Sequence, residues 1–167
     1  SDLQSKAWFG KTLLSPRSER RESATVTLSL DRPALMLVSD RRHLGERSFD
    51  SVALAAVAGH ATSIQVREKD LPARELLSLV QSLVRQLPTS IPIIVNDRVD
   101  VALAAGAQGV QLGADSLPVS VARAIAPNLL IGASVHGVAE AVRAETQGAS
   151  FLIVGKTEEH TLNSSHT

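Results

Sequence analysis

Residues 64–70 read Ile-Gln-Val-Arg-Glu-Lys-Asp, a strand-like run that turns polar at its end, and residues 73–86 follow with apolar side chains at helical spacing. This is the pattern of a βα unit, a buried strand followed by an amphipathic helix. In an extended strand alternate side chains share a face, so we expect Gln65, Arg67 and Lys69 to converge on one spot. Two cations and an amide on one face suit an anion; an exposed strand end with solvated charges is the alternative.

The same unit recurs from Ala34 onward, where short apolar strands alternate with Ala-rich helical segments. The strands are almost continuously apolar, which predicts burial on both faces, as in parallel sheets. Gly59, Gly106 and Gly148 each stand after a last helical turn, where glycine favours the left-handed closing conformation. Candidate strands begin near residues 34, 62, 91, 109, 129 and 150. The predicted helices are Asp50–Ala58, Ala73–Gln86, Val99–Ala105, Pro118–Ala126 and Val138–Gln147.

Repeated βα units are typical of a TIM-type (β/α)8 barrel or of a doubly wound sheet. The first strand is followed by Ser39-Asp40-Arg41-Arg42 and not by a Gly-rich dinucleotide fingerprint, so the α/β fold class we predict is the barrel. A full barrel takes about 250 residues, and here about six of its eight βα units are recognisable. We expect a partial barrel over residues 33–155, a disordered N-terminal extension over 1–32 and a polar tail over 156–167.

Composition argues for a soluble globular protein of one domain, with 44% hydrophobic residues, 20% charged residues and a formal net charge of zero. This balance gives no support for a nucleic-acid or membrane-surface partner, and 2% aromatic residues argue against base stacking. The absence of cysteine fits a reducing cytoplasm, so a cytoplasmic location is expected. No apolar run approaches the roughly 20 residues that span a bilayer.

Other predicted strands also end in polar residues: Asn96-Asp97-Arg98, Asp115-Ser116 and Ser134-Val135-His136. Because the carboxyl ends of parallel strands meet at one edge of a sheet, these residues predict a functional site there. Structural alternatives stand beside each of them. Asp97 and Ser116 could cap the helices that follow, each cap being worth about 1 kcal/mol. His136 could be an ordinary exposed residue, or a proton carrier, because imidazole titrates near neutrality.

Four motifs occur in order at these strand ends: Gln65–Lys69, Val95–Ala104, Gly109–Gly113 and Gly132–His136. Together they resemble the thiamine phosphate synthase family, with its close relative thiazole tautomerase. The resemblance implies a barrel enzyme with small-molecule substrates. It would join hydroxymethylpyrimidine diphosphate to thiazole phosphate and release pyrophosphate, a reaction that depends on positioning and electrostatics.

The resemblance also implies substrate-binding roles. Gln65, Arg67 and Lys69 occupy the positions that grip pyrophosphate, where arginine offers a forked contact and lysine a point charge. Asn96 would contact the pyrimidine. Ser134 would donate a hydrogen bond to the pyrophosphate and is a candidate catalytic residue.

The metal position departs from the family pattern. Asp97 would hold Mg²⁺, a hard cation that suits carboxylates and substrate phosphates. Synthases usually place a second carboxylate where this chain has Ser116, which leaves neighbouring Asp115 as the second candidate ligand. His136 matches a catalytic histidine of the tautomerase branch. A tautomerase-like isomerase that uses His136 and no Mg²⁺ is therefore the alternative function.

The C-terminal residues 156–167 lack the apolar periodicity of two further βα units, so the chain reads as C-terminally truncated relative to the family. A six-strand partial barrel leaves two sheet edges unpaired, which suggests self-association as a homo-oligomer. An inactive fragment is the third interpretation.

Overall fold

The computed structural model describes residues 34–155, which form one parallel sheet with intervening helices. The predicted N-terminal extension (1–32), residue 33 and the predicted polar tail (156–167) lie outside the described residues. Every predicted helix end lies within one residue of the observed end. In chain order the elements are β1 (Met36–Val38), a 3₁₀ helix (Arg41–His43), α1 (Phe49–Ala58), β2 (Ser63–Val66), α2 (Ala73–Gln86), β3 (Ile93–Asn96), α3 (Val99–Ala105), β4 (Gly109–Leu112), α4 (Val119–Ile125), β5 (Leu130–Val135), α5 (Val138–Thr146) and β6 (Phe151–Val154).

The strands lie in the sheet in the order in which they occur in the chain, from β1 to β6, and every neighbouring pair is parallel. In a doubly wound sheet the strand order reverses at a switch point, whereas in a barrel each strand lies beside the previous one in the chain. The sequential order therefore confirms the prediction of a TIM-type α/β fold. The described part is a partial barrel of six strands.

The core lies between the sheet and its helices. Helix α2 contributes Leu76, Val80 and Leu83, whose spacing places them on one face. They share one buried cluster with the strand residues Ile64 and Val95, which are fully buried. All four residues of β2 and of β4 are buried, and successive residues of a strand point to opposite faces, which confirms that the central strands have two covered faces. No helix within the described range is long and apolar enough to cross a membrane.

The two outer strands are more exposed than the central ones. Over residues 34–155, β1 and β6 each pair with one neighbour. Val38 in β1 and Val154 in β6 are 46% and 74% exposed. Apolar side chains beside an unpaired strand edge form a surface on which another chain can pair. Self-association through these edges remains a prediction.

The helix ends agree only in part with the glycine prediction. Gly106 and Gly148 have φ angles of 73° and 95° and take the predicted left-handed conformation. Gly59 does not, because its φ is −84° and the following residue, His60, has the positive φ of 71°. The turn after α1 is one residue longer than predicted, and a histidine occupies its left-handed position.

Candidate functional site at the carboxyl edge of the sheet

Three clefts open where the strands end and the following loops begin. The β1–β2 cleft has a volume of about 300 Å³, and the β2–β3 cleft about 260 Å³. The β4–β5 cleft has a volume of about 300 Å³. The predicted polar strand ends therefore do meet at one edge of the sheet, the edge at which barrels of this type carry their sites.

The predicted strand face of Gln65, Arg67 and Lys69 is wrong in its geometry. Strand β2 ends at Val66, so Arg67 and Lys69 lie in the loop that follows, where strand pairing no longer fixes their direction. Both side chains line the β1–β2 cleft, and Lys69 also lines the β2–β3 cleft. Gln65 lines neither cleft and is 5% exposed. The loop, and not the strand, brings the two cations together.

Gln65 instead supports the next strand. Its Nε2 donates a hydrogen bond to Oδ1 of Asn96 at 3.1 Å, and Nδ2 of Asn96 donates in turn to Oδ2 of Asp97 at 2.6 Å. Asn96 and Asp97 line the β2–β3 cleft beside Lys69. Asp97 has a φ of 63°, a left-handed conformation that is uncommon outside glycine and recurs at functional sites. A chain of polar contacts therefore orders the end of β3.

Asp97 and Ser116 contact each other and cap no helix. Helices α3 and α4 begin after Arg98 and Pro118, and neither helix receives a side-chain cap hydrogen bond. The hydroxyl of Ser116 donates to Oδ1 of Asp97 and accepts a hydrogen bond of 2.7 Å from the backbone N–H of Gly113. This excludes the capping alternative for both residues. It also links the β2–β3 cleft, lined by Asp97, to the β4–β5 cleft, lined by Ser116.

Asp97 and Ser116 offer hard oxygen ligands, the kind that Mg²⁺ prefers. Asp115 is exposed in the loop after β4. In the described part of the chain no three histidine, aspartate or glutamate side chains gather as a metal site. Mg²⁺ commonly takes one or two carboxylates and completes its shell with water and substrate phosphates. The donor set thus fits a cation shared with a bound diphosphate and not a closed protein cage.

Ser134, in β5, is held by Gln111 of β4. Gln111 is 2% exposed, and its Nε2 donates to the Ser134 hydroxyl at 3.0 Å. Its Oε1 is buried without a hydrogen-bond partner within residues 34–155. A side chain at Gly132 would overlap this oxygen and the ring of Phe151, so glycine leaves the space that Gln111 fills. Ser134 accepts from Gln111, and within residues 34–155 its own O–H donates to no other group, which makes it available to a ligand.

His136 lies at the end of β5 and lines the β4–β5 cleft with Ser134. Its Nδ1 is 3.4 Å from Oε2 of Glu140, one turn into α5, and its side chain is half-exposed. The backbone N–H of His136 donates to the same carboxylate at 2.9 Å and lowers the pKa of Glu140. The structure therefore brings His136 and Ser134 together, whereas Asn96 and Asp97 belong to the β2–β3 cleft.

The sequence analysis missed Arg41 and Glu68. Glu68 is 6% exposed, although it lies between two exposed cations, and its carboxylate pairs with Nε of Arg41 at 3.1 Å. Arg41 also contacts Asp70, and the hydrogen bonds of Asp70 to its own backbone and to Arg41 lower the pKa of that carboxyl. The sequence signal for Arg41 is the polar run after the first strand, which the sequence analysis took only as evidence against a dinucleotide site. It is a polar strand end like the others.

Comparisons with known proteins agree with this architecture. A sequence model of a family described as thiamine monophosphate synthase matches residues 35–164. The thiamine-phosphate synthase of Roseiflexus sp. (strain RS-1) is 45% identical over 124 residues, covering 71% of this chain and 51% of that protein. The thiamine-phosphate synthase of Pyrococcus furiosus is 47% identical over 123 residues, covering 72% of this chain and 58% of that protein.

A solved structure gives the same result. The thiamine phosphate pyrophosphorylase from Pyrococcus furiosus superposes with a TM-score of 0.68 at 42% sequence identity, covering 74% of this chain and 60% of that one. This chain spans between half and three fifths of the length of the curated relatives named above. The match over most of the chain and the partial barrel with its polar carboxyl edge lead to one conclusion: this chain belongs to the thiamine monophosphate synthase family.

Proposed function

We propose that the chain supplies the pyrimidine-diphosphate-binding part of a thiamine phosphate synthase. The reaction joins hydroxymethylpyrimidine diphosphate to thiazole phosphate and releases pyrophosphate. The observation that carries the proposal is the adjacency of the two clefts that share Lys69. One holds the cations Arg67 and Lys69, and the other holds the Asn96–Asp97 pair. The first cleft is also lined by Arg42 and by three carboxylates, so its charges balance overall. The exposed cations Arg67 and Lys69, beside the polar Asn96–Asp97 pair, suit a diphosphate joined to a polar ring.

The proposed chemistry is electrostatic. The bond between the pyrimidine methylene carbon and the diphosphate oxygen breaks, its electron pair leaves with pyrophosphate, and the thiazole then bonds to that carbon. Arg67 and Lys69 stabilise the charge that develops on the leaving group. Ser134 donates its free O–H to the pyrophosphate, and Asn96, held by Gln65, orients the pyrimidine. Fixed donors and cations reduce the reorganisation that the reaction would need in water.

Mg²⁺ is the proposed cofactor. Asp97 would hold it together with the substrate diphosphate, and Asp115 is the second candidate ligand from the loop after β4. When bound, Mg²⁺ supplies positive charge to the diphosphate. Ser116, which hydrogen-bonds to Asp97, would lie near the metal without adding a charge.

Replacing Ser116 with aspartate is expected to raise Mg²⁺ affinity by about tenfold in the presence of pyrophosphate. The change places a second carboxylate beside Asp97, and each added carboxylate strengthens a site for a hard divalent cation. Calorimetric titration of Mg²⁺ into the pyrophosphate-loaded protein measures the effect. Ser120→Asp adds the same charge at an exposed position of α4 and should leave the affinity unchanged. Equal affinities for wild type and Ser116→Asp would refute the metal position.

The test of function is to incubate the full chain with both substrates and Mg²⁺, and to measure thiamine phosphate and pyrophosphate. Metal-dependent formation of both products supports the proposal. Because the chain spans about half of its relatives' length, absence of turnover with retained pyrophosphate binding would show that this part binds the diphosphate without completing the reaction. Absence of both turnover and binding would refute the proposal. The cytoplasmic location remains a prediction.

The tautomerase alternative has no support from the relatives named above, which bear the synthase name. His136 nevertheless remains a proposed catalytic residue because it shares the β4–β5 cleft with Ser134. His136→Ala separates the two functions. Loss of metal-independent tautomer exchange in this variant would favour the isomerase, and unchanged pyrophosphate release would remove His136 from the synthase mechanism.

A further inference from the structure

The loops that follow β1 and β2 are joined by direct hydrogen bonds. Ser39, at the end of β1, is 2% exposed and donates its backbone N–H to the carbonyl of Gln65 at 2.9 Å. Its hydroxyl accepts from the backbone N–H of Arg67 at 2.8 Å. Arg67, the first residue of the loop after β2, is therefore bonded to the end of β1.

Arg41 continues this connection. Its backbone N–H and its Nε each donate to the Glu68 carboxylate at 3.1 Å. Its Nη2 donates to Oδ2 of Asp70 at 2.8 Å. The forked guanidinium thus holds two points of the loop, one buried and one exposed, in a fixed planar geometry that an ammonium group lacks. A buried carboxylate requires such a partner, because an unpaired charge is costly to remove from water.

The direction of Glu68 decides where its neighbours point. Glu68 turns into the protein, with its side chain 3% exposed, whereas Arg67 and Lys69 on either side are exposed and line the β1–β2 cleft. Both cations lie outside regular strand structure, so β-sheet pairing does not fix them. The bonds through Ser39 and Arg41 connect this segment to the neighbouring loop, and the N–H of Leu71 donates to the carbonyl of Glu68 within it.

We propose that Arg41 and Glu68 are positioning residues of the anion site: they hold residues 67–70 in the one loop shape that presents Arg67 and Lys69 to the same diphosphate. The inference rests on the proposed function, because that function assigns the anion to the two cations. It adds that the affinity for the anion depends on a buried negative charge.

The effect that we predict for removing the Glu68 charge is opposite to the effect that Coulomb attraction alone predicts. Glu68 lies next to two cations, so removing its charge makes the local potential more positive and, by Coulomb attraction alone, tightens the binding of an anion. If Glu68 positions the loop, removing its charge weakens binding, because the loop must then be ordered at the moment of binding. Glu68→Gln therefore separates the two effects by direction and not only by size.

The experiment is calorimetric titration of inorganic pyrophosphate into the full chain. We expect about tenfold weaker binding for Glu68→Gln and for Arg41→Lys, which keeps the charge but loses the fork. Glu145→Gln removes an exposed carboxylate on α5 and serves as the matched control, with unchanged affinity. Amide hydrogen exchange of the same variants should show faster exchange at Arg67 and Arg41, whose N–H groups are bonded across the two loops.

The outcomes separate the inference from the proposed function. If wild type binds pyrophosphate and Arg67→Ala does not, the anion site stands. Unchanged or tighter binding in Glu68→Gln would then overturn only the positioning role, and so would unchanged affinity in Arg41→Lys. If wild type itself fails to bind pyrophosphate, the anion site and the inference are both wrong. A thermal unfolding midpoint close to wild type in Arg41→Lys shows that its weaker binding is not due to loss of the fold.

Discussion

Arg67→Ala is expected to weaken pyrophosphate binding by about 10- to 100-fold. The residue is exposed, lines the β1–β2 cleft, and offers a forked donor to phosphate oxygens. A hydrogen bond to a charged group contributes about 1.5–3 kcal/mol, which corresponds to this range of dissociation constants. Calorimetry at low ionic strength measures the loss. Arg67 carries the largest expected effect because a forked guanidinium can make two contacts with a phosphate group, whereas the Lys69 ammonium acts as a point charge.

The matched control is Arg85→Ala. Arg85 is also exposed, but it lies in the last turn of α2, and that end of the helix is at the opposite edge of the sheet from the clefts. We expect its affinity for pyrophosphate to equal that of wild type. The salt dependence gives a second check, because the wild-type affinity should fall as ionic strength rises, and should fall less steeply in Arg67→Ala. Equal affinities in Arg67→Ala and Arg85→Ala would contradict the site.

Gly109→Ala is expected to reduce the free energy of unfolding by about 3 kcal/mol, the upper part of the range for overpacking a core. Gly109 begins β4, which is paired on both sides. An added Cβ would lie 2.6 Å from Cδ1 of Ile94 and 2.7 Å from the carbonyl oxygen of Leu130. The carbonyl belongs to the neighbouring backbone, which strand pairing prevents from moving aside. Urea unfolding, monitored by circular dichroism, measures the change.

Gly59→Ala is the control for this stability prediction. Gly59 ends α1 with an ordinary φ of −84°, and an added Cβ would meet its nearest neighbours at 3.4 Å. We expect a change within about 0.5 kcal/mol, as for most surface substitutions. A midpoint shift in Gly109→Ala no larger than that of Gly59→Ala would show that the contact at β4 relaxes easily. An unchanged denaturant slope is needed for either value to be read as stability.

Much of the fold could be predicted from local patterns. The 14-residue helix α2 is evident from the spacing of Leu76, Val80 and Leu83, and its bounds agree with the prediction at both ends. Gly106 closes α3 in the left-handed conformation, as its position predicted. The conformation of the turn after α1 could not be predicted, because whether Gly59 or His60 takes the positive φ depends on how the turn reaches β2. Short-range preference allows glycine to adopt that conformation but does not require it.

The site could be predicted only as a set of strand ends. The sequence placed Gln65, Arg67 and Lys69 at a common edge, and this holds for the two cations, which line one cleft. It could not show that β2 ends at Val66 or that Gln65 is buried against Asn96. Residue spacing also could not distinguish a cap from a tertiary partner. Ser116 precedes a helix, so its position is compatible with a capping role. Its hydroxyl instead bonds to Asp97, 19 residues away.

The sequence by itself determined the βα alternation, the location of the helices and the polar character of the carboxyl edge, because these depend on periodicity and residue type over a few neighbouring positions. The tertiary structure alone decided the contacts across strands: Arg41 with Glu68, Ser116 with Asp97, and Gln111 with Ser134. The physical reason is that such pairs join loops or strands that are distant in the chain. Their partners are chosen by strand register and by the need to satisfy buried polar groups, which no local pattern records.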